Sequence, residues 1–191
     1  MLTLTVLNNC LGTMGEAPLN AVDDPHPYRG PALSILGSVN RELQARGWWF
    51  NREALTLQPG ALDSCIYLPG DTIGVLAEDP RYVQRYRRLY NIETGDYVFT
   101  TPVDVELRRL IPFEETPELY AAYAAAETVI RFQKRYDGDS QKTRELGREL
   151  ADARIACSSE ETRQVQANLI ESNVRLSYIK AQVRSVRGRR F

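Results

Sequence analysis

The segment of residues 44–51, QARGWWFN, constrains the fold more than any other part of this chain. Before Gly47 the apolar residues recur at helical spacing, whereas Trp48, Trp49 and Phe50 begin a run that favours extended backbone. Glycine readily adopts the left-handed conformation that ends many helices. The sequence therefore predicts an elbow, formed by Gly47, Trp48, Trp49 and Phe50, where a helical part of the chain meets a β-rich part.

Two helices are predicted before this elbow. Apolar residues spaced by three and four place the first at about residues 3–14, with Gly15 as its C-terminal cap. A turn-rich loop follows, and Pro31 lies in the first turn of the second helix. Asn40 and Gln44 fall outside the apolar stripe of that helix, on its other faces.

The segment after the elbow is predicted to be rich in short strands. Glycine- and proline-containing turns separate several extended runs, at residues 48–57, 65–68, 72–77, 82–90, 97–101 and 103–107. The last run alternates apolar and charged residues, which is typical of a strand with one buried face. Because a strand alternates its faces in the same way, Trp48 and Trp49 are not expected to enter the same core.

Helical spacing returns after Pro112. A third helix is predicted to run from about Pro117 to Tyr136, and a fourth begins near Ser140. The apolar register of the fourth helix drifts across residues 158–160, so a break or kink is predicted there.

Together these elements predict an α+β fold. An antiparallel bundle of about four helices would carry a small antiparallel β-rich insertion between its second and third helices. We expect residues 1–47 and 112–174 to form the bundle and residues 48–111 the insertion. Residues 175–191 are expected to form a separate basic C-terminal segment.

The overall composition excludes several classes of protein. A net charge of −1 and a pI near 6.0 argue against a chain that coats nucleic acid. Cys10, Cys65 and Cys157 are far apart and odd in number, which indicates neither a disulfide framework nor a zinc site. The sequence contains no signal peptide pattern and no apolar run long enough to span a membrane, so we expect a location in the cytoplasm.

The sequence gives little support for catalysis. His26 is the only histidine, and it lies between two prolines without a second metal ligand nearby. The acid pairs at 23–24, 78–79 and 114–115 could serve glycoside hydrolysis only if two carboxylates faced each other across a cleft. Nucleotide-binding motifs do not occur. We therefore predict no catalytic residue, no metal site and no cofactor.

A stretch within the β-rich part alternates arginine with tyrosine. Its members are Arg81, Tyr82, Arg85, Tyr86, Arg87, Arg88 and Tyr90. This composition suits phosphate contact combined with base stacking. It equally suits a sheet edge on which arginine packs against tyrosine, or a surface for a protein partner.

The C-terminal segment is the most basic part of the chain. No acid follows Glu171, and the bases in the segment are Arg175, Lys180, Arg184, Arg187, Arg189 and Arg190. A solvated tail is one interpretation of such a run. The interleaved Ile179, Val183 and Val186 favour the other, in which the segment docks on a partner.

Several motifs resemble those of one protein family. They are LNNCLGTMGEAP at 7–18, VNRELQARGWWFN at 39–51, DYVF at 96–99, PFEE at 112–115 with Pro117, and RFQKRY at 131–136. In this order they resemble the tail tubular protein A family of short-tailed bacteriophages. The resemblance covers residues 4–173 and contains no motif beyond Asn173.

The resemblance implies a structural protein of the virion tail, assembled in the cytoplasm of the host bacterium. Such an adaptor, or gatekeeper, forms a dodecameric ring that joins the portal to the tail nozzle and surrounds the channel through which genomic DNA passes. The expected partners are further copies of the chain, the portal protein, a nozzle protein similar to tail tubular protein B and DNA without sequence specificity. No membrane is involved.

For a protein with these partners we hypothesise a role for each candidate surface, because a cationic amphipathic end suits an acidic groove on a partner and alternating strand faces separate the two tryptophans. The helical bundle would form the ring, and one of the two tryptophans would contact a neighbouring subunit. The expected contacts to the portal are Arg175, Lys180, Arg184, Arg187, Arg189, Arg190 and Phe191. The expected contacts to the nozzle are Tyr82, Arg85, Tyr86, Arg87 and Arg88.

Two alternative functions stay open from the residues alone. One is a virion-associated glycan hydrolase that uses acids such as Glu78, Asp79, Glu114 and Glu115. The other is a small DNA-binding regulator that uses the arginine and tyrosine stretch at 82–90.

Overall fold

The computed structural model describes the backbone of residues 2–187 and the side chains of residues 2–167. Two helices precede five strands, and two further helices follow them. The elements are α1 (Leu2–Thr13), α2 (Arg29–Gln44), β1 (Arg52–Leu57), β2 (Thr72–Ala77), β3 (Tyr82–Arg85), β4 (Arg88–Asn91), β5 (Val103–Arg109), α3 (Glu118–Tyr136) and α4 (Ser140–Arg187). The predicted α+β class, with a β-rich insertion between the second and third helices, is confirmed.

The helical body has one apolar core. Helix α3 packs against α1, α2 and α4, and both aromatic and small side chains are among its buried residues. Tyr120 and Phe132 of α3 are completely buried, as is Cys157 of α4. Burial raises the pKa of the Cys157 thiol to about 11, so this cysteine is an inert packing residue.

The insertion has a second, smaller core. Strand β5 lies between β1 and β2 in an antiparallel sheet, and β3 pairs with β4 in a separate hairpin. Val103, Val105 and Leu107 are buried on one face of β5, as the alternation in its sequence predicts. They pack with Ile66 and Leu89, which belong to the outer part of the insertion.

The backbone differs from the prediction at the start of the insertion. Residues 48–51 form a turn, closed by a hydrogen bond from the Asn51 amide to the Trp48 carbonyl oxygen, and the strand starts only at Arg52. The side chain of Asn51 causes the turn, because its Oδ1 accepts a hydrogen bond from the Trp48 amide. The predicted strand from residue 48 was therefore wrong in its first four residues.

Two further predictions of local structure were wrong. The run at 82–90 is a hairpin of two strands, because the chain reverses at Tyr86 and Arg87. Helix α4 continues through residues 158–160 without a break. The Ser159 hydroxyl donates to the Ile155 carbonyl, and the Thr162 hydroxyl donates to the Ser158 carbonyl, so these polar side chains bond within the helix.

The backbone of α4 is continuous from Ser140 to Arg187, across the boundary predicted at residues 174–175. A helix of 48 residues is about 72 Å long at about 1.5 Å per residue. Within the part of the chain that the structure describes, no helix has both the length and the apolar character needed to cross a membrane.

Candidate functional site

The elbow begins where α2 ends. The amide of Gly47 donates to the Gln44 carbonyl, and the φ angle of Gly47 is +78°. A Cβ atom on Gly47 would lie 2.8 Å from Nε of Arg108, whose side chain lies across the turn and donates from Nη1 to the Ala45 carbonyl. The positive φ angle therefore favours glycine at this position, and a larger residue would also have to displace the Arg108 side chain.

Three buried amide side chains hold the two ends of the insertion against α2. Nδ2 of Asn51 donates to the carbonyls of Gln44, 3.0 Å away, and of Arg109, 2.9 Å away. Gln44 in turn donates from Nε2 to the Ile111 carbonyl and accepts from the Ile111 amide, each at 2.8 Å. Asn40 accepts from Gln44 and donates to Ile111. The strand entering the insertion and the chain leaving it are thus bonded to the same helix.

This amide network was missed by the sequence analysis. Asn40 and Gln44 were assigned to the outer faces of α2, but both are buried. They lie beside the apolar stripe because the insertion returns over that side of the helix and satisfies their polar atoms. The tertiary contact, which no local pattern encodes, decides their burial. Tyr120 also joins the network by donating its hydroxyl to the Asn40 carbonyl.

Both tryptophans of the elbow pack on the helical core. Trp48 is 7% exposed, its ring meets those of Tyr120 and Tyr123 edge to face, and its Nε1 donates to the Leu43 carbonyl at 2.8 Å. Trp49 is half-buried against the ring of Trp48 and that of Phe50. The prediction that they enter different environments was wrong, because a turn does not alternate its faces as a strand does.

A carboxylate of the long helix also binds the elbow. Oε2 of Glu161 accepts from the Trp49 amide at 2.7 Å, and its Oε1 pairs with Arg52 at 2.6 Å. Because Glu161 belongs to α4, the helix that continues to Arg187 is fastened directly to the base of the insertion. The elbow therefore connects the helical body, the insertion and α4.

The predicted nozzle-contact residues lie on the β3–β4 hairpin but do not all face outward. Tyr82 packs its ring against Phe99 in the core of the insertion. The guanidinium of Arg85 lies 3.6 Å from the centre of the Tyr90 ring, and that of Arg88 lies 4.3 Å from the centre of the Tyr97 ring. The packing of arginine on tyrosine, one of the three interpretations of this stretch, is therefore present.

Tyr86 and Arg87 form the exposed tip of this hairpin. Tyr86 is 95% exposed and has a φ angle of +56°. A positive φ in a two-residue turn favours glycine or asparagine, so an exposed tyrosine there is unfavourable for folding. Arg87 is also exposed, and within the described residues none of Arg85, Arg87 and Arg88 has an ion-pair partner. The tip is a cationic and aromatic surface.

Two of the four acids considered for glycoside hydrolysis, Asp79 and Glu114, have structural partners. Glu114 accepts from the amides of Leu2 and Thr3 at the start of α1. Hydrogen bonds from the side chain and then the amide of Thr3 are the main causes that lower the pKa of Glu114 to about 2. Asp79 pairs with Arg81, which also lowers the pKa of that carboxyl. A general acid needs the opposite shift, a raised pKa. Among the described residues no cluster of three or more histidine, cysteine or acidic side chains could hold a metal ion.

The predicted portal-contact residues fall at the limit of the described chain. Arg175, Lys180, Arg184 and Arg187 belong to the backbone of α4, but their side chains lie outside the described residues. Arg189, Arg190 and Phe191 lie outside them completely.

A sequence model of the tail tubular protein family matches residues 4–167, which include the helical body, the elbow and the insertion. The chain therefore belongs to the tail tubular protein family and is a structural protein of a bacteriophage tail. It is 29% identical over 130 residues to tail tubular protein A of Klebsiella phage KP34, in an alignment that covers 67% of this chain and 69% of that protein. The resemblance found in the sequence motifs is confirmed.

Proposed function

We propose that this chain is the adaptor of the phage tail. Copies of it form a dodecameric ring that joins the portal to the tail nozzle and surrounds the DNA channel, and the ring assembles in the cytoplasm of the host bacterium. Family membership supports a position in the tail. The observation that carries the proposal is the elbow, which fixes a helical body and a β-rich insertion at one joint. An adaptor needs such a joint because it binds different partners at its two ends.

The hairpin tip supports the contact with the nozzle. Tyr86 keeps an unfavourable backbone conformation while its ring is exposed, and unfavourable conformations of this kind cluster at functional positions. Tyrosine and arginine are also the residues that most often dominate binding at protein interfaces. We assign Tyr86 and Arg87 as the centre of the nozzle contact, supported by Arg85 and Arg88 from the adjacent strands.

The basic C-terminal segment supports the contact with the portal. Glu161 fastens α4 to the elbow, and the helix then continues toward the segment at 175–191. The sequence of that segment combines bases with Ile179, Val183 and Val186 at helical spacing, which suits an acidic groove on a partner. We assign the portal contact to Arg175, Lys180, Arg184, Arg187, Arg189, Arg190 and Phe191.

Genomic DNA is a passing partner in this proposal. A ring that let DNA slide should not hold its phosphates, and the net charge of −1 agrees with this requirement. We expect weak duplex binding without sequence preference. A sequence-specific footprint at physiological salt would contradict the adaptor function and favour a DNA-binding regulator.

Native mass spectrometry and negative-stain imaging test the proposed ring. The chain should form closed rings, either alone or when mixed with the portal protein. A chain that stays monomeric in both conditions would contradict the proposal.

The portal contact is tested in the full-length chain. Replacing Arg184, Arg187, Arg189 and Arg190 with glutamine should weaken portal binding at least tenfold. These residues are four of the six bases in the proposed docking segment, and their loss removes most of its positive charge. The matched control replaces four exposed bases of the body with glutamine: Arg41, Arg46, Lys134 and Arg135. Equal portal binding by the wild-type chain and the C-terminal variant would remove the segment from the portal contact.

A further inference from the structure

Two surface grooves run along opposite sides of the first part of α4. The first lies between α4, α1 and α3, has a volume of about 770 Å³ and is floored by small side chains such as Ala122, Ala125 and Ala126. The second, of about 620 Å³, lies between α4 and the other side of α3. Glu145 borders the first groove and Arg154 the second. They are nine residues apart, which is about two and a half turns at 3.6 residues per turn, so these two side chains point to opposite sides of the helix.

The first groove has an acidic rim. Glu145 and Glu149 of α4 and Glu118 of α3 border it, and all three are exposed. Within the described residues none of the three forms an ion pair. Lys142 also lines the groove, but its ammonium group is held by the Thr13 carbonyl at 2.8 Å and the Asp137 carboxylate at 3.3 Å. The free charge of this rim is therefore negative. We call it the acidic flank.

The opposite side of α4 is basic. Ala151, Arg154 and Ile155 line the second groove, and Ile155 is 64% exposed. Arg144 and Arg148 precede Ala151 and Ile155 at helical spacing and lie on the same stripe. The three arginines are exposed and form no ion pair within the described part of the chain.

The single acid of this second groove is already paired. The carboxylate of Glu127 lies 2.6 Å from Nε of Arg131. Asp152, an exposed acid one turn after Arg148, lies on α4 between the two sides. With three exposed arginines against this one acid, the net free charge of this side is positive. We call Arg144, Arg148, Arg154 and Ile155 the basic flank.

We propose that the acidic flank of one copy binds the basic flank of the next copy in the ring. The Ile155 side chain enters the alanine-floored groove, and Glu145 and Glu149 pair with the arginines of the neighbour. The inference rests on the proposed ring and names the surfaces that close it. A contact between two different surfaces repeats head to tail, and it closes into a ring when its rotation permits.

The charges provide specificity more than affinity. Exposed ion pairs each contribute little to stability, but complementary patches fix the register of a contact and exclude the wrong orientation. In the opposite arrangement, two acidic flanks or two basic flanks would face each other and repel. The opposite charges on the two flanks of α4 therefore explain why copies would join in only one orientation. Assembly should also weaken at high salt, because salt screens exposed charges.

Two charge-reversal variants of the full-length chain test the proposal. The first carries Glu145→Arg and Glu149→Arg, so both of its flanks are basic. The second carries Arg148→Glu and Arg154→Glu, so both of its flanks are acidic. The control carries Lys134→Glu and Arg135→Glu, which reverse two exposed bases on α3 away from both flanks. Circular dichroism checks that every variant is folded, and native mass spectrometry measures the rings.

Each flank variant alone should lose the rings, and an equimolar mixture of the two should recover them, because each then offers a flank of opposite charge to the other. The control should form rings as the wild-type chain does. Rings from either folded flank variant alone, or no recovery in the mixture, would overturn the pairing while leaving the adaptor intact. A wild-type chain that forms no ring, alone or with portal, would overturn the adaptor function and this inference with it.

Discussion

The helical body and the β-rich insertion bury their side chains in different ways. In the body, four helices share one core in which aromatic rings meet edge to face, as Trp48 does with Tyr120 and Phe132 with Tyr28. In the insertion, the buried core consists mainly of small aliphatic side chains around β5. Among the described residues, six of the nine exposed large hydrophobic side chains belong to the insertion: Leu62, Tyr67, Leu76, Tyr86, Ile92 and Val98.

This difference indicates that the body and the insertion have different roles. The body has the large core that a stable platform needs, whereas the insertion leaves apolar and aromatic surface uncovered, which is typical of a region that binds a partner. The elbow joins them through polar contacts, since Asn51 and Gln44 bond both ends of the insertion to α2. The comparison therefore predicts that damage to the body, the joint and the insertion will have separate and distinguishable effects.

Damage to the body should have the largest effect. Trp48→Ala removes a buried indole from the contacts with Tyr120 and Tyr123, and we expect it to lower the free energy of unfolding by about 3–5 kcal/mol. Urea denaturation measures this loss. Trp49→Ala is the control, with a smaller loss because Trp49 is half-buried. Equal losses for the two variants would contradict the assignment of Trp48 to the centre of the body core.

Damage to the joint should have the second-largest effect on stability. Asn51→Ala removes the side-chain hydrogen bonds to the Arg109 carbonyl and from the Trp48 amide, whereas the Gln44 carbonyl still accepts from Gly47. One unsatisfied buried group costs about 1–3 kcal/mol. We expect a loss of about 2 kcal/mol and faster amide hydrogen exchange throughout the insertion. Asn8→Ala is the matched control, because Asn8 makes two similar bonds to the backbone of Leu19 within the body. Unchanged exchange in the insertion of Asn51→Ala would show that the network does not hold the joint.

The segment leaving the insertion also stabilises the body, with a smaller effect. Glu114 binds the amides at the start of α1, and its pKa is lowered to about 2. A carboxylate at a helix N-terminus contributes about 0.3–1 kcal/mol, so Glu114→Gln should lower stability by this amount at pH 7.

The contribution of Glu114 to stability should also depend on pH in a defined direction. Because the pKa of Glu114 is lower in the folded chain, its contribution is fully present above its unfolded value of about 4.3 and is lost as the pH falls through about 2. The difference between Glu114→Gln and the wild-type chain should therefore shrink below about pH 4 and vanish only below about pH 2. A difference that persists there, or one equal to that of the exposed neighbour Glu115→Gln, would contradict the role of Glu114 as a cap.

Damage to the exposed tip of the insertion should hardly affect folding. Asparagine tolerates the positive φ of Tyr86, so Tyr86→Asn should change stability by less than about 0.5 kcal/mol. Binding to the nozzle protein should fall at least tenfold, since an exposed aromatic anchor is lost. Leu62→Asn, at another fully exposed position of the insertion, should leave this binding unchanged. Equal binding by Tyr86→Asn and wild type would remove the tip from the nozzle contact.

Periodic patterns predicted most of the fold. The predicted bounds of α1, α2, α3 and β5 lie close to the observed ones. Each of these elements buries one face along its whole length, which gives its sequence a regular apolar pattern. Gly47 was also predicted correctly as the end of a helix. It follows an apolar stripe, and it has the positive φ angle that commonly ends a helix.

The errors occur where one side chain decides the backbone or where burial depends on a distant segment. Asn51 forms a turn in a stretch whose aromatic residues favour a strand. The reversal at Tyr86 has none of the usual turn residues, so the two strands around it were predicted as one. Asn40 is buried only because Ile111, far along the chain, returns to it. Patterns within a short window contain no information about such contacts.

The central claim is that this chain connects two other components of the virion. The direct measurement is a pull-down in which immobilised portal protein is incubated with the nozzle protein, with and without this chain. The adaptor function predicts that the portal retains the nozzle only when the chain is present, with all three proteins in the eluted complex. Equal retention of the nozzle without the chain, or failure of the chain to bind the portal, would contradict it.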